Sequence, residues 1–86
     1  MTRWLRPPVP LQVQCEPDGR PARLRRAGRD RTVTHIGDTW VLPAAWWDDG
    51  GPLCAERTYY RIVLDGMVVY QVFHAADQWY LERVVD

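Results

Sequence analysis

Six arginines fall within twelve residues: Arg20, Arg23, Arg25, Arg26, Arg29 and Arg31. Their guanidinium forks match phosphate oxygens in paired hydrogen bonds, which a flexible ammonium does not do as well. Five Trp, four Tyr and one Phe add rings able to stack on bases. The chemistry implied is nucleic-acid binding. Against it stand a formal net charge of +0 and a sequence pI near 6.7, well below the basic values of a dedicated binder. The zero is a sum of opposites. Residues 1–31 carry eight Arg against three acids, and the remainder carries three Arg against eight acids. Either the two halves satisfy each other inside the fold, or they face different partners.

Catalytic and metal constellations are thin. The chain contains no Ser, so no serine nucleophile exists, and nothing local pairs Cys54 with His35 or His74 as nucleophile and base. Asp48 and Asp49 are adjacent, so their carboxylates diverge in an extended chain, whereas acid–base pairs must converge on one group. The glycines mark turns with no helix behind them, which excludes a phosphate-cradling loop. Cys15, His35, Cys54 and His74 have the chemistry of a zinc set, but each stands about twenty residues from the next, and structural zinc sites take pairs of ligands from tight turns. No enzyme, cofactor or metal is expected. Trp46 and Trp47 are different: neighbouring residues cannot both face one core, so one indole is expected at the surface or under a loop, as an anchor for a protein partner.

The elements that must position these residues are strands. Val9, Leu11, Val13 and Cys15 alternate with Pro10, Gln12 and Gln14, the period of a half-buried strand, and Pro10 suits a strand's beginning or edge. Glu16-Pro17-Asp18-Gly19 is a turn. Arg20 to Arg26 follows as a short polar strand around Ala22 and Leu24. Ala27 to Asp30 reads as a hairpin loop into Thr32 to Ile36; Gly37-Asp38 breaks that strand, and Thr39 to Leu42 resumes it. Ala44 to Trp47 has the makings of one helical turn, ended by Asp48 to Pro52. Asp65-Gly66 between β-rich runs is the strongest short hairpin signal in the chain. With the turn His74 to Asp77 and the closing run Gln78 to Val85, the last thirty residues form a three-stranded meander. Tyr60, Ile62 and Leu64 are expected on one face, Tyr59, Arg61 and Val63 on the other. By the same alternation, Trp79, Leu81, Arg83 and Val85 oppose Gln78, Tyr80, Glu82 and Val84. Both faces carry apolar groups, so the sheet must curl on itself or be covered.

These readings bound the molecule. Eighty-six residues make one small domain, all-β, either a small partly open barrel or a strongly twisted antiparallel sheet of five to six strands, with residues 1–8 a loose N-terminal arm. No apolar run approaches the roughly 20 residues of a membrane span. The start lacks the apolar core of a secretory signal, which points to the cytoplasm and to free thiols. Open sheet edges, at the strand bearing Pro10 or the Arg-rich strand, invite pairing with a second copy as a homodimer.

Several of these features recur together elsewhere. A Gly-Arg-Pro turn, a basic short strand, Val33-x-x-Ile36-x-x-x-Trp40, Trp46-Trp47, Tyr59-Tyr60-Arg61 and Trp79-Tyr80-Leu81-x-Arg83-Val84-x-Asp86 resemble a small bacterial domain of unknown function. That domain occurs alone and at the C-terminal end of ImuB-type Y-family DNA polymerase-like proteins, the noncatalytic partners in translesion synthesis. The resemblance runs from about Pro8 to Asp86. It departs in the first hairpin, where Leu24-Arg25-Arg26 and Arg31-Thr32 stand in place of aromatic positions, which weakens the inference of base stacking there. The resemblance implies a non-enzymatic accessory or interaction module of DNA-damage tolerance, docking on a DNA-repair or polymerase-like protein. Direct nucleic-acid binding by the Arg-rich hairpin is the alternative.

Overall fold

Period-two alternation turns most of the chain into extended strand. In the computed structural model, which describes residues 1–43 and 56–86, the strands are β1 (Thr2–Cys15), β2 (Pro21–Arg26), β3 (Arg29–Leu42), β4 (Arg57–Leu64), β5 (Val68–Ala75) and β6 (Gln78–Val85). The expectations placed on Ala44, Trp46, Trp47, Asp48, Asp49 and Cys54 lie outside the described residues. Each strand pairs antiparallel with the next, and β1 also pairs with β6, so the six strands form a closed ring. The expected all-β architecture, closing meander included, is the one that forms. Among the described residues, no helix is long and apolar enough to cross a membrane.

Residues 2–8 are not a loose arm. Thr2, Arg3 and Trp4 lie opposite Val85, Val84 and Arg83, and Leu5 packs on the interior cluster. The ladder with β6 slips between Trp4 and Val9, the interval that holds Pro7 and Pro8, so their missing N–H groups fall where regular pairing is already interrupted. Nor is either strand expected as an open edge a simple edge. β1 pairs with β6 up to Leu11 and with β2 from Gln12 onward, while β2 lies between β1 and β3.

Two apolar layers hold the ring. Inside it, Leu11, Leu24, Ile62, Leu64, Tyr70, Val72, Leu81 and Val84 make the main core. The opposite face of the sheet carries a cross-strand aromatic row, Trp40–Tyr59–Phe73–Tyr80, in direct register across β3 to β6. Trp40 stacks on Tyr59 at 5.1 Å and 3°, and Phe73 on Tyr80 at 5.1 Å and 22°. Phe73 is 0% exposed. Such aromatic pairs contribute about 0.5–1.5 kcal/mol beyond their area burial. This second layer is why β4 to β6 are apolar on both faces.

Bulges set which face each residue takes. One extra residue at Glu82 shifts the β5–β6 pairing from Val72↔Leu81 to Gln71↔Arg83. Strict alternation would put Arg83 beside Leu81; the bulge instead sends Val84 into the core and Arg83 to the outer face. A second irregularity, between Ile36 and Thr39, absorbs the break expected at Gly37-Asp38 and leaves β3 continuous. A Cβ at Gly37 would meet the Arg61 carbonyl oxygen at 3.4 Å, so the two strands run close together there.

Candidate nucleic-acid interface

Strand alternation divides the six arginines rather than gathering them. Leu24 points into the core, so Arg23 and Arg25 on either side of it point outward and are exposed. Arg26 shares Leu24's face: its guanidinium donates to the Tyr70 hydroxyl at 3.1 Å and lies 5.9 Å from that ring's centroid. Arg31 pairs with Asp65 at 3.7 Å, Arg20 with Asp18 at 2.8 Å in the β1–β2 turn, and Arg25 with Asp30 at 3.5 Å across the hairpin. Arg23 and Arg29 have no ion pair among the described residues. Of the six, Arg23 and Arg25 thus share the outer face of β2, while Arg26 and Arg31 lie on the face of Leu24.

That patch continues along β1. With Leu5, Leu11 and Val13 directed at the core, Trp4, Arg6, Pro10, Gln12 and Gln14 lie on the outer face, all exposed. Gln12 sits opposite Arg25 and Gln14 opposite Arg23, and these four line one shallow groove with Asp30. At the other end of β1, Trp4 lies opposite Arg83. The guanidinium carbons of Arg6 and Arg83 stand 5.3 and 5.2 Å from its ring centroid. The Arg83 Nε is buried and has no hydrogen-bond partner among the described residues. A donor of that kind is costly to leave unpaired. The outer face of β1, with its neighbours on β2 and β6, thus offers Arg6, Arg23, Arg25 and Arg83, two glutamines and an exposed indole. Its acids among the described residues are Asp30, paired with Arg25, and Glu82 on β6, which accepts from Gln71 and Tyr59.

Residues of the acidic half are engaged elsewhere. Glu82 accepts from Gln71 Nε2 at 2.8 Å and from the Tyr59 hydroxyl at 3.3 Å, and its carboxylate lies 3.9 Å from Arg57. Asp38 pairs with Arg61 at 3.1 Å, whose guanidinium also lies 5.4 Å from the Trp40 ring centroid. Burial pushes the Tyr59 hydroxyl above its ordinary value, partly offset by Arg57 beside it. The backbone N–H of Arg20 holds Asp18 below the usual carboxylate range, helped by the Arg20 side chain.

The residues weighed for zinc do not assemble. Cys15 and His74 line one cavity, His35 lines a separate groove on β3, and Cys54 lies outside the described residues. Among the described residues no three His, Cys, Asp or Glu side chains are placed to hold a metal ion. Burial raises the Cys15 thiol, which lowers its thiolate fraction and its nucleophilicity.

Sequence reasoning found Arg23 and Arg25 but missed Arg6, Arg83 and Trp4 as their neighbours. Arg83 was hidden by the bulge at Glu82, and Trp4 and Arg6 by the assignment of residues 1–8 to an arm. No protein-family model matches the chain, and no curated protein or solved structure matches it.

Proposed function

We propose that the domain is a non-enzymatic accessory module that binds single-stranded nucleic acid along the outer face of β1 and its neighbours on β2 and β6. The observation that carries this reading is the make-up of that face: Arg23 and Arg25 beside Gln14 and Gln12 at one end, Arg6 and Arg83 around Trp4 at the other, Pro10 between, and acids that are already paired. Guanidinium groups bind phosphates, the indole stacks on a base, and glutamine amides reach base edges. A smooth barrel face suits a single strand better than a duplex, whose major groove is read by an inserted helix or protruding ribbon. The setting of DNA-damage tolerance, beside a repair or polymerase-like protein, comes from the family resemblance. Docking on such a protein through Trp46 and Trp47 has no described geometry behind it, so nucleic-acid binding takes precedence.

The test is affinity for an eight-nucleotide single strand as a function of salt. Each phosphate contact to a single strand contributes about 0.7 to the slope of log affinity against log salt. Arg23→Gln combined with Arg25→Gln should flatten that slope by about 1.4 and weaken all sequences alike. Undetectable binding at low salt, or a slope indifferent to both substitutions, would falsify the proposal.

A further inference from the structure

We infer that the open end of the barrel beside Cys15 is a seat for one nucleobase. Cys15, Gly19, Thr58, Tyr60, His74 and Trp79 line a cavity there of about 270 Å³. Pockets for drug-sized ligands run to roughly 300–1,000 Å³, so this one suits a single ring system. Three aromatic rings form one wall. Tyr60 and Trp79 lie 5.3 Å apart at 41°, and His74 and Trp79 5.0 Å apart at 56°. The Thr58 and Tyr60 hydroxyls, the His74 ring nitrogens and the Cys15 thiol make no hydrogen bond among the described residues. A pocket that combines ring faces with unengaged donors and acceptors fits a planar heteroaromatic group, which needs both. Burial raises the Tyr60 hydroxyl above its ordinary value, so it stays protonated and able to donate.

An organic cation fits less well. A quaternary ammonium would use the ring faces alone and leave the Thr58 and Tyr60 hydroxyls, the His74 nitrogens and the Cys15 thiol without partners, and the nearby Asp18 carboxylate is already paired with Arg20 at 2.8 Å. The position of the cavity favours a base belonging to a bound strand, and to that extent the inference rests on the function proposed above. Gln14 is the last outward residue of the β1 row, and Cys15, next in sequence, lines the cavity. A strand lying along β1 has only to turn over the rim at Cys15 to deliver its terminal base.

The experiment follows the ring signals of the two histidines by NMR. His74 lines the cavity, and His35, in the groove on β3, serves as an internal control. The full protein is titrated with three probes: an eight-nucleotide thymidine strand, an abasic strand of the same length, and thymidine monophosphate. The expected result is that His74 and the Trp79 indole move with the base-bearing strand and not with the abasic one, while His35 stays still. In that case His74→Ala weakens the base-bearing strand about tenfold, the order of effect of losing one base stack, Thr58→Val weakens it about fivefold, that of one hydrogen bond, and both leave the abasic strand unaffected. Movement of His74 with the mononucleotide but with neither strand would uphold the seat and remove the strand-binding function. Strand binding that shifts Arg23 and Arg25 but leaves His74 and Trp79 in place would overturn the seat and keep the strand. A protein unmoved by all three probes would lose both.

Discussion

At the scale of the residue, the fold assigns similar side chains to different tasks by where they point. Arg23, Arg25 and Arg26 are near neighbours in sequence, yet the first two face outward and the third reaches across to Tyr70. Tyr59 and Tyr60 are likewise adjacent on β4 and belong to opposite apolar layers, Tyr59 to the aromatic row and Tyr60 to the edge of the main core. Burial is the main force on both hydroxyls and raises them above the ordinary value of about 10. A phenol whose pKa is raised on folding holds its proton more tightly in the native state. Its contribution to stability is therefore complete below about pH 10 and is lost as the pH climbs through the folded value. Ultraviolet titration of the folded protein should show these two tyrosines ionising late. Tyr59→Phe and Tyr60→Phe should each remove part of the late phase and lessen the loss of stability above pH 10. Ordinary titration in the folded state would show that neither hydroxyl is desolvated.

At the scale of the element, the hairpin turns differ in how well their residues suit them. Asp65 and Gly66 both take positive φ, as do Ala27 and Gly28, and Ala76 and Asp77. This is the backbone of a turn whose twist matches the strands it joins, and Asn-Gly or Asp-Gly fills it best. The Asp65-Gly66 signal was legible because its residues suit the turn; Met67 N–H donates to the Leu64 carbonyl at 3.0 Å to close it. Ala76-Asp77 does not suit it, since neither residue is glycine, and L-residues lose roughly 1–2 kcal/mol in that region. Replacing this pair with Asn-Gly should stabilise the domain by about 1 kcal/mol, read as a higher urea midpoint at unchanged slope. No gain in midpoint would mean that local strain is relieved in some other way.

At the scale of the whole molecule, the charge division is kept. Among the described residues two ion pairs, Arg31–Asp65 and the Met1 amino group with Asp86, join the basic first 31 residues to the acidic remainder, whereas Arg20–Asp18 and Arg25–Asp30 form within the first part and Arg57–Glu82 and Arg61–Asp38 within the second. Among the described residues the halves therefore do not neutralise each other wholesale, and Arg23, Arg6 and Arg83 make no ion pair. Closure of the ring depends on the chain's first residues, since Thr2 to Trp4 pair with the end of β6 and Leu5 packs on the core. Deleting residues 2–8 should open the ring and abolish a cooperative unfolding transition, observed by circular dichroism during a urea titration. A truncated chain that unfolds with the parent's midpoint would show that β2 to β6 suffice.

The all-β class, the meander, the Asp65-Gly66 turn and the placement of Ile62 and Leu64 opposite Tyr59 were determined by the sequence alone, because alternation and turn chemistry are local. So was the crowding of arginines between Arg20 and Arg31. Only the tertiary structure decided that β1 closes on β6, that residues 2–8 are strand, and that Arg83 faces outward beside Trp4. Ring closure joins the two ends of the chain, and no local pattern announces which strands will meet. A bulge is a single residue left out of the ladder, and it reverses every facing beyond it. The basic hairpin could be read from residue types, but the surface it belongs to exists only where β1, β2 and β6 come side by side.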